Sequence, residues 1–163
     1  MKTMYDNLII KISKDLYFKK PEIIQALMCQ ESRGNPHAVR FELGYYTNKI
    51  VEAESLVWSK KYKGIPTADT ERVMRSTSFG LMQIMGQLAR EHGYSPQFLT
   101  QLLIAEENIM LGVKILNNWI KKLNGNEDHA ILAWNRGPGC AVPIGHESYL
   151  VSVKAFIEQT PFL

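Results

Sequence analysis

Apolar residues recur three and four positions apart along nearly the whole chain, the spacing of helix faces rather than of strands. Residues 4 to 17 carry Leu8, Ile9, Ile12 and Leu16 in this rhythm. A second helix opens at Pro21, whose missing N–H would have no helical partner in a first turn anyway, and continues through Ile23, Ile24, Leu27 and Met28. Residues 34 to 50, rich in Gly, Asn and aromatics, read as an irregular loop. Short helices are expected over 51–62 and 67–75, with a break at "KGIP". "SFGLMQIMGQLAREHG" reads as a turn into a helix that stops at Gly93, and "SPQFLTQ" as the start of another, with Ser95 as cap and Pro96 in the first turn. The clearest helix spans 102–123, where Ala105, Ile109, Gly112, Leu116, Trp119 and Leu123 form one stripe. Residues 127–135 and 147–159 supply two more helices, joined by a rigid loop, "RGPGCAVPIGH". There is no repeat, no low-complexity linker and no run of alternating strands, so the expectation is one mainly α domain over 1–163.

Composition narrows the class. A chain of 163 residues suits one domain and can bury roughly two thirds of its unfolded surface, so no disulfide or metal staple is needed. Cys29 and Cys140 lie far apart and read as two free thiols. Cys29 stands two residues before Glu31, which raises a thiol nucleophile, but His37, His92, His129 and His146 are scattered and none adjoins it in sequence. The net charge of +3 favours an anionic partner without naming one. No segment approaches the roughly 20 apolar residues of a membrane span, and "LIIKI", followed by Lys14 and Asp15, is too short for a secretory signal. The expectation is a chain made in the cytoplasm, without membrane insertion, that either stays there or leaves by another route.

Glu31 is the sharpest chemical feature. It follows Leu27 and Met28 on the buried stripe, at a helix end broken at once by Gly34, Asn35 and Pro36. Burial and the partial negative charge of a helix C-terminus both disfavour a carboxylate there, which suits a general acid. A surface Glu at a frayed helix end is the competing reading. "SFGLMQIMG" adds a turn in which Gly80 permits close backbone approach, Met82 fits irregular surfaces and Gln83 can donate and accept. "AILAWNRGPG" places Trp134 beside Asn135 before a Gly-Pro-Gly loop, an aromatic face and an amide of the kind a sugar site uses. Each of these turns, taken alone, is better read as a core contact or a helix cap.

Taken in order, "ES" at 31–32, "GLMQ" at 80–83, "ENIMLG" at 107–112, "AWNRGPG" at 133–139 and "SYLVSV" at 148–153 resemble the motifs of the soluble lytic transglycosylases, which have the goose-type lysozyme-like fold. The resemblance covers roughly residues 20 to 155 and implies a helical domain with a substrate cleft. It implies cleavage of the β-1,4 bond between N-acetylmuramic acid and N-acetylglucosamine in peptidoglycan, leaving a 1,6-anhydro end. By the same resemblance Glu31 is the catalytic residue and Ser32 hydrogen-bonds near its carboxyl or the acetamido group. Gly80, Leu81, Met82 and Gln83 line the cleft, Asn108 makes a structural bond, Trp134 and Asn135 bind substrate, and the Tyr149 hydroxyl positions Glu31. The partner is a peptidoglycan strand, not nucleic acid, and the protein a monomer or a component of a phage or secretion assembly. No metal or cofactor is implied, and neither HExxH nor a phosphate loop is present.

Two departures matter. Trp134 stands where the family has Tyr, keeping the ring and losing a hydroxyl. Ser32 and Gly80 are separated by 47 residues, longer than the family's usual connection. This insert, 33–78, is expected to form a lid or cleft wall whose aromatics, among them Trp58 and Tyr62, stack on further sugar rings. It carries "RFE" at 40–42, similar to a phage-associated variant of the family. Glu42 is then either a second carboxylate that activates water, making a muramidase, or an ion-pair partner of Arg40 or Arg33. A weakly active glycan-binding component of a tail or secretion apparatus is a further alternative, against which the intact Glu31 and Ser32 weigh.

Overall fold

The computed structural model describes residues 3–50, 52–137 and 147–159. Cys140 and the loop residues from 138 to 146 lie outside them. The chain divides into two compact units, one formed by 1–34 with 109–163 and the other by 35–108.

The first unit is helical: α1 (Asp6–Asp15), α2 (Pro21–Ser32), α7 (Ala105–Lys122) from Ile109 onward, α8 (Glu127–Arg136) and α9 (Glu147–Glu158). The stripes read from the sequence face inward. Ile9, Ile24, Leu27, Ile109, Leu116 and Val153 are essentially inaccessible to solvent. Pro21 occupies the start of α2 as expected. α1 ends with Tyr17 in the left-handed region (φ 54°), so that the N–H groups of Tyr17 and Phe18 return to the carbonyls of Lys14 and Ser13. α8 is capped by Asn126, whose side chain accepts from the His129 N–H at 3.0 Å. Cys29 is buried in α2 and unbonded, and burial pushes its thiol pKa up, so it is held as an unreactive thiol.

The second unit contains what the periodicity missed, a three-stranded antiparallel sheet in the order β1 (Val39–Phe41), β2 (Thr77–Phe79), β3 (Ile84–Met85). Val39 pairs with Phe79 and Phe79 with Ile84. Strands of two or three residues are too short to show alternation, so 34–50 read as loop and 78–86 as a turn into a helix. α3 (Leu43–Asn48) follows β1, and α6 (Gly86–Glu91) follows β3. The helix expected to start at Ser95 does not form. Residues 95–98 are non-helical and a 3-10 turn runs over Leu99–Leu103. Arg90 captures the Pro96 carbonyl at 2.8 Å, an acceptor an α-helix there would need for itself, and the Tyr94 carbonyl before it at 2.9 Å.

α4 (Glu52–Lys61) and α5 (Ala68–Arg75) pack on each other with no apolar core of their own. Among the described residues 35–78, the buried side chains are Pro66 and polar groups that include Ser55, Ser59, Glu71 and Arg75. Glu71 receives a two-point hydrogen bond from Arg90, at 2.8 and 3.2 Å. Arg75 donates to Gln87 at 2.7 Å, to Ser55 at 2.9 Å and to Glu54. Trp58 covers the Arg90 guanidinium at 4.3 Å, and the Tyr62 hydroxyl donates to the Ser95 carbonyl. Both rings, half-buried, make these contacts within the unit. The stretch read as an insert, 33–78, is thus mostly part of a longer unit whose apolar centre comes from Phe79, Leu81, Met82, Ile84, Leu99 and Leu102.

Candidate active site

Glu31 occupies the last turn of α2, half-buried, beyond the fully buried Leu27 and Met28. The helix stops because Arg33 turns left-handed (φ 55°), one residue before the Gly34 that the sequence suggested as the breaker. The N–H groups of Arg33 and Gly34 fold back onto the carbonyls of Cys29 and Met28. Ser32 donates its hydroxyl to the Met28 carbonyl at 3.2 Å, so that proton is turned into the helix.

Opposite this end stands the first turn of α9, in the same unit. The Tyr149 hydroxyl donates to Glu31 Oε1 at 2.5 Å. Its pKa is raised far above the ordinary tyrosine value, first by burial, then by the Glu31 charge and the hydrogen bond itself. Tyr149 is therefore a permanent neutral donor. One turn along α9, Ser152 donates to Gln30 Oε1 at 2.6 Å. Neither Gln30 nor Ser152 was singled out from the sequence, although Ser152 lies three residues after Tyr149 and so on the same helix face.

Also in this unit, Trp134 is half-buried and meets Trp119 edge-on, with ring centroids 5.8 Å apart, so part of its surface is spent on packing. Asn135 is exposed in the last turn of α8. A cavity of about 300 Å³ opens at the other end of α2 and α9, over Ile23, Ile131 and Ile157. Its rim charges pair among themselves, Lys154 with Asp128 at 2.5 Å and Lys20 with Glu127 at 3.9 Å, and it lies away from Glu31.

In the second unit, the turn from Gly80 to Gln83 joins β2 to β3. Gly80 has φ 72°, and a Cβ there would meet the Leu102 carbonyl oxygen at 2.5 Å and Asn108 Nδ2 at 2.6 Å. Asn108, fully buried, accepts from the Met82 N–H at 2.9 Å and donates to the carbonyls of Phe79 and Leu102 at 2.9 Å each. Of the four residues expected to line a cleft, Gly80, Leu81 and Met82 are buried as anchors of the turn, and Gln83 alone reaches the surface. Its carboxamide nitrogen is already committed to the carbonyls of Ala38 and Gly80, at 3.1 and 3.0 Å, which supports its own left-handed backbone (φ 47°). Glu42 pairs with Arg40 at 2.5 Å. Among the described residues no three His, Cys, Asp or Glu side chains gather to hold a metal ion, and no helix is long and apolar enough to cross a membrane.

No curated protein and no solved structure gives a significant match to the chain. A family model does: the transglycosylase SLT domain matches residues 8–149. The match takes in both Glu31 at the end of α2 and the Tyr149 that holds it, and most of the chain between the first helix and the last. With that coverage and a mainly helical, lysozyme-like fold, the chain belongs to the transglycosylase SLT domain family.

Proposed function

We propose that this chain cuts the β-1,4 bond between N-acetylmuramic acid and N-acetylglucosamine by intramolecular transglycosylation, with Glu31 as the single acid and base. The family acts on peptidoglycan as lytic transglycosylases, and the finer chemistry rests on one observation: a half-buried carboxyl at a helix end, held by a neutral tyrosine hydroxyl at 2.5 Å. In the first step Glu31 gives its proton to the bridging oxygen as the bond to the muramic C1 breaks. The acetamido oxygen of the same sugar closes on C1 and carries the developing positive charge, so no second protein carboxylate is required. In the second step the C6 hydroxyl attacks C1, the acetamido oxygen leaves, and Glu31 takes the hydroxyl proton back. No water is consumed, and Glu31 ends as it began. Tyr149 donates to Glu31 Oε1 and holds the carboxyl in place.

The Arg40 contact supports a structural part for Glu42. Digestion of purified peptidoglycan followed by mass spectrometry tests the reading directly. Anhydro ends, one water lighter than reducing ends, are expected, and Glu31→Gln is expected to fold and lose cleavage by about two to four orders of magnitude. Reducing ends that vanish with Glu42→Gln would replace this mechanism by hydrolysis.

A further inference from the structure

We propose that Ser152 is a positioning residue for Glu31, acting through Gln30. The inference rests on the reading of Glu31 as the acid and base, and deepens it. The end of a helix is where backbone bonding is weakest, because the last carbonyls have no partner within the helix and the final turn frays. Glu31 sits in that turn, one residue before Ser32 closes α2 and two before the left-handed Arg33. The Arg33 and Gly34 N–H groups close the backbone of this turn, but proton transfer to a glycosidic oxygen needs the side chain as well fixed to a fraction of an ångström.

α9 supplies what α2 lacks. Tyr149 and Ser152 are three residues apart, on one face and roughly 4.5 Å apart along the axis. Their hydroxyls reach two consecutive side chains of α2, Tyr149 to Glu31 at 2.5 Å and Ser152 to Gln30 at 2.6 Å. One hydrogen bond fixes a point on the helix end. Two, side by side, also fix its direction. Gln30 points about 100° around the helix from Glu31, so the second bond also sets the rotation of the whole last turn. Val153, fully buried next to Ser152, anchors the donor side of the pair in the core. The effect of Ser152 passes through Gln30 to the backbone that carries Glu31.

The test measures cleavage of peptidoglycan and binding to it, alongside thermal unfolding, for Ser152→Ala, Ser152→Thr, Gln30→Leu and the double variant Ser152→Ala with Gln30→Leu. Ser152→Ala is expected to lower kcat roughly tenfold with KM and Tm close to wild type, the scale of a slight misplacement of a reacting group. Ser152→Thr keeps the hydroxyl and is expected to restore turnover. Gln30→Leu is expected to match Ser152→Ala, and the double variant to fall no further, since both remove the same bond. A merely structural bond would lower Tm and leave turnover per folded molecule unchanged, and that result overturns the proposal. Should Ser152→Ala fail to fold, Gln30→Leu decides it from the other side. Glu31→Gln is run in parallel. If it is inactive while Ser152→Ala and Gln30→Leu turn over normally, the positioning role falls and the reading of Glu31 stands. If Glu31→Gln still cleaves, the reading falls and the positioning role with it.

Discussion

The raised pKa of Tyr149 makes a mark on the protein that is independent of its part in the proposed chemistry. Burial, the Glu31 charge and the hydrogen bond all favour the protonated phenol in the folded state. An unfolded tyrosine titrates near about 10. The folded state therefore holds its proton where the unfolded chain releases it, so this contribution to stability is fully present below about pH 10 and is lost as the pH climbs further. Tyr149→Phe has no such proton to lose. Melting curves between pH 8 and pH 11 are expected to show wild-type Tm falling more steeply than that of Tyr149→Phe above pH 10, with kcat of the variant reduced at neutral pH. Parallel slopes would mean that Tyr149 ionises normally. At this scale the sequence was a fair guide to identities and a poor one to partners. Glu31 was legible because an acid interrupts an apolar stripe at a helix stop. The destination of the Ser32 hydroxyl, which goes to Met28, and of the Gln83 amide, which goes to Ala38, depends on local rotamers that spacing does not encode.

At the scale of elements, the β2–β3 turn is locked by one side chain. Asn108 satisfies the Met82 N–H and the carbonyls of Phe79 and Leu102, all buried. Asn108→Ala strands these groups without water. Each unpaired buried group costs about 1–3 kcal/mol, so with three of them the variant is expected to lose at least about 3 kcal/mol, a large share of a domain's stability. Gly80→Ala should act in the same direction, since its methyl would collide with the Leu102 carbonyl and Asn108. Urea unfolding followed by circular dichroism measures both, and a loss under about 1 kcal/mol for Asn108→Ala would remove the lock. The helices of the first unit were readable because each buries one long stripe. The sheet was not, because its strands hold two or three residues and gain their pairing from segments far apart in sequence: Val39 meets Phe79. The 3-10 turn at 99–103 was missed for a similar reason, as Ser95 and Pro96 are good helix starters until Arg90 takes the carbonyls around them.

At the scale of the whole molecule, the two units have different interiors. The first is packed with aliphatic side chains from α1, α2, α7, α8 and α9. In the second, α4 and α5 are held by buried charge, with Arg90 on Glu71 and Arg75 on Ser55, Gln87 and Glu54. A buried ion pair offsets a large desolvation cost and adds little net stability, whereas aliphatic burial adds about 25 cal/mol for each Å² removed from water. Hydrogen exchange followed by mass spectrometry is therefore expected to show the amides of α4 and α5 exchanging at least tenfold faster than those of α2 and the Ile109–Trp119 stretch of α7. Equal protection would mean that the charged network is as strong as the apolar core. By itself the sequence determined the mainly helical character, the family and the candidate acid, because helical spacing and ordered short motifs are local properties that survive in a one-dimensional string. Tertiary structure alone decided that Gln30 meets Ser152 and that Trp58 covers the Arg90 guanidinium, while the pairing of Glu31 with a hydroxyl 118 residues away was expected only through the family resemblance. Those contacts are set by how helices pack, and the free energy that selects them comes from burial and hydrogen bonding between segments with no local trace of one another.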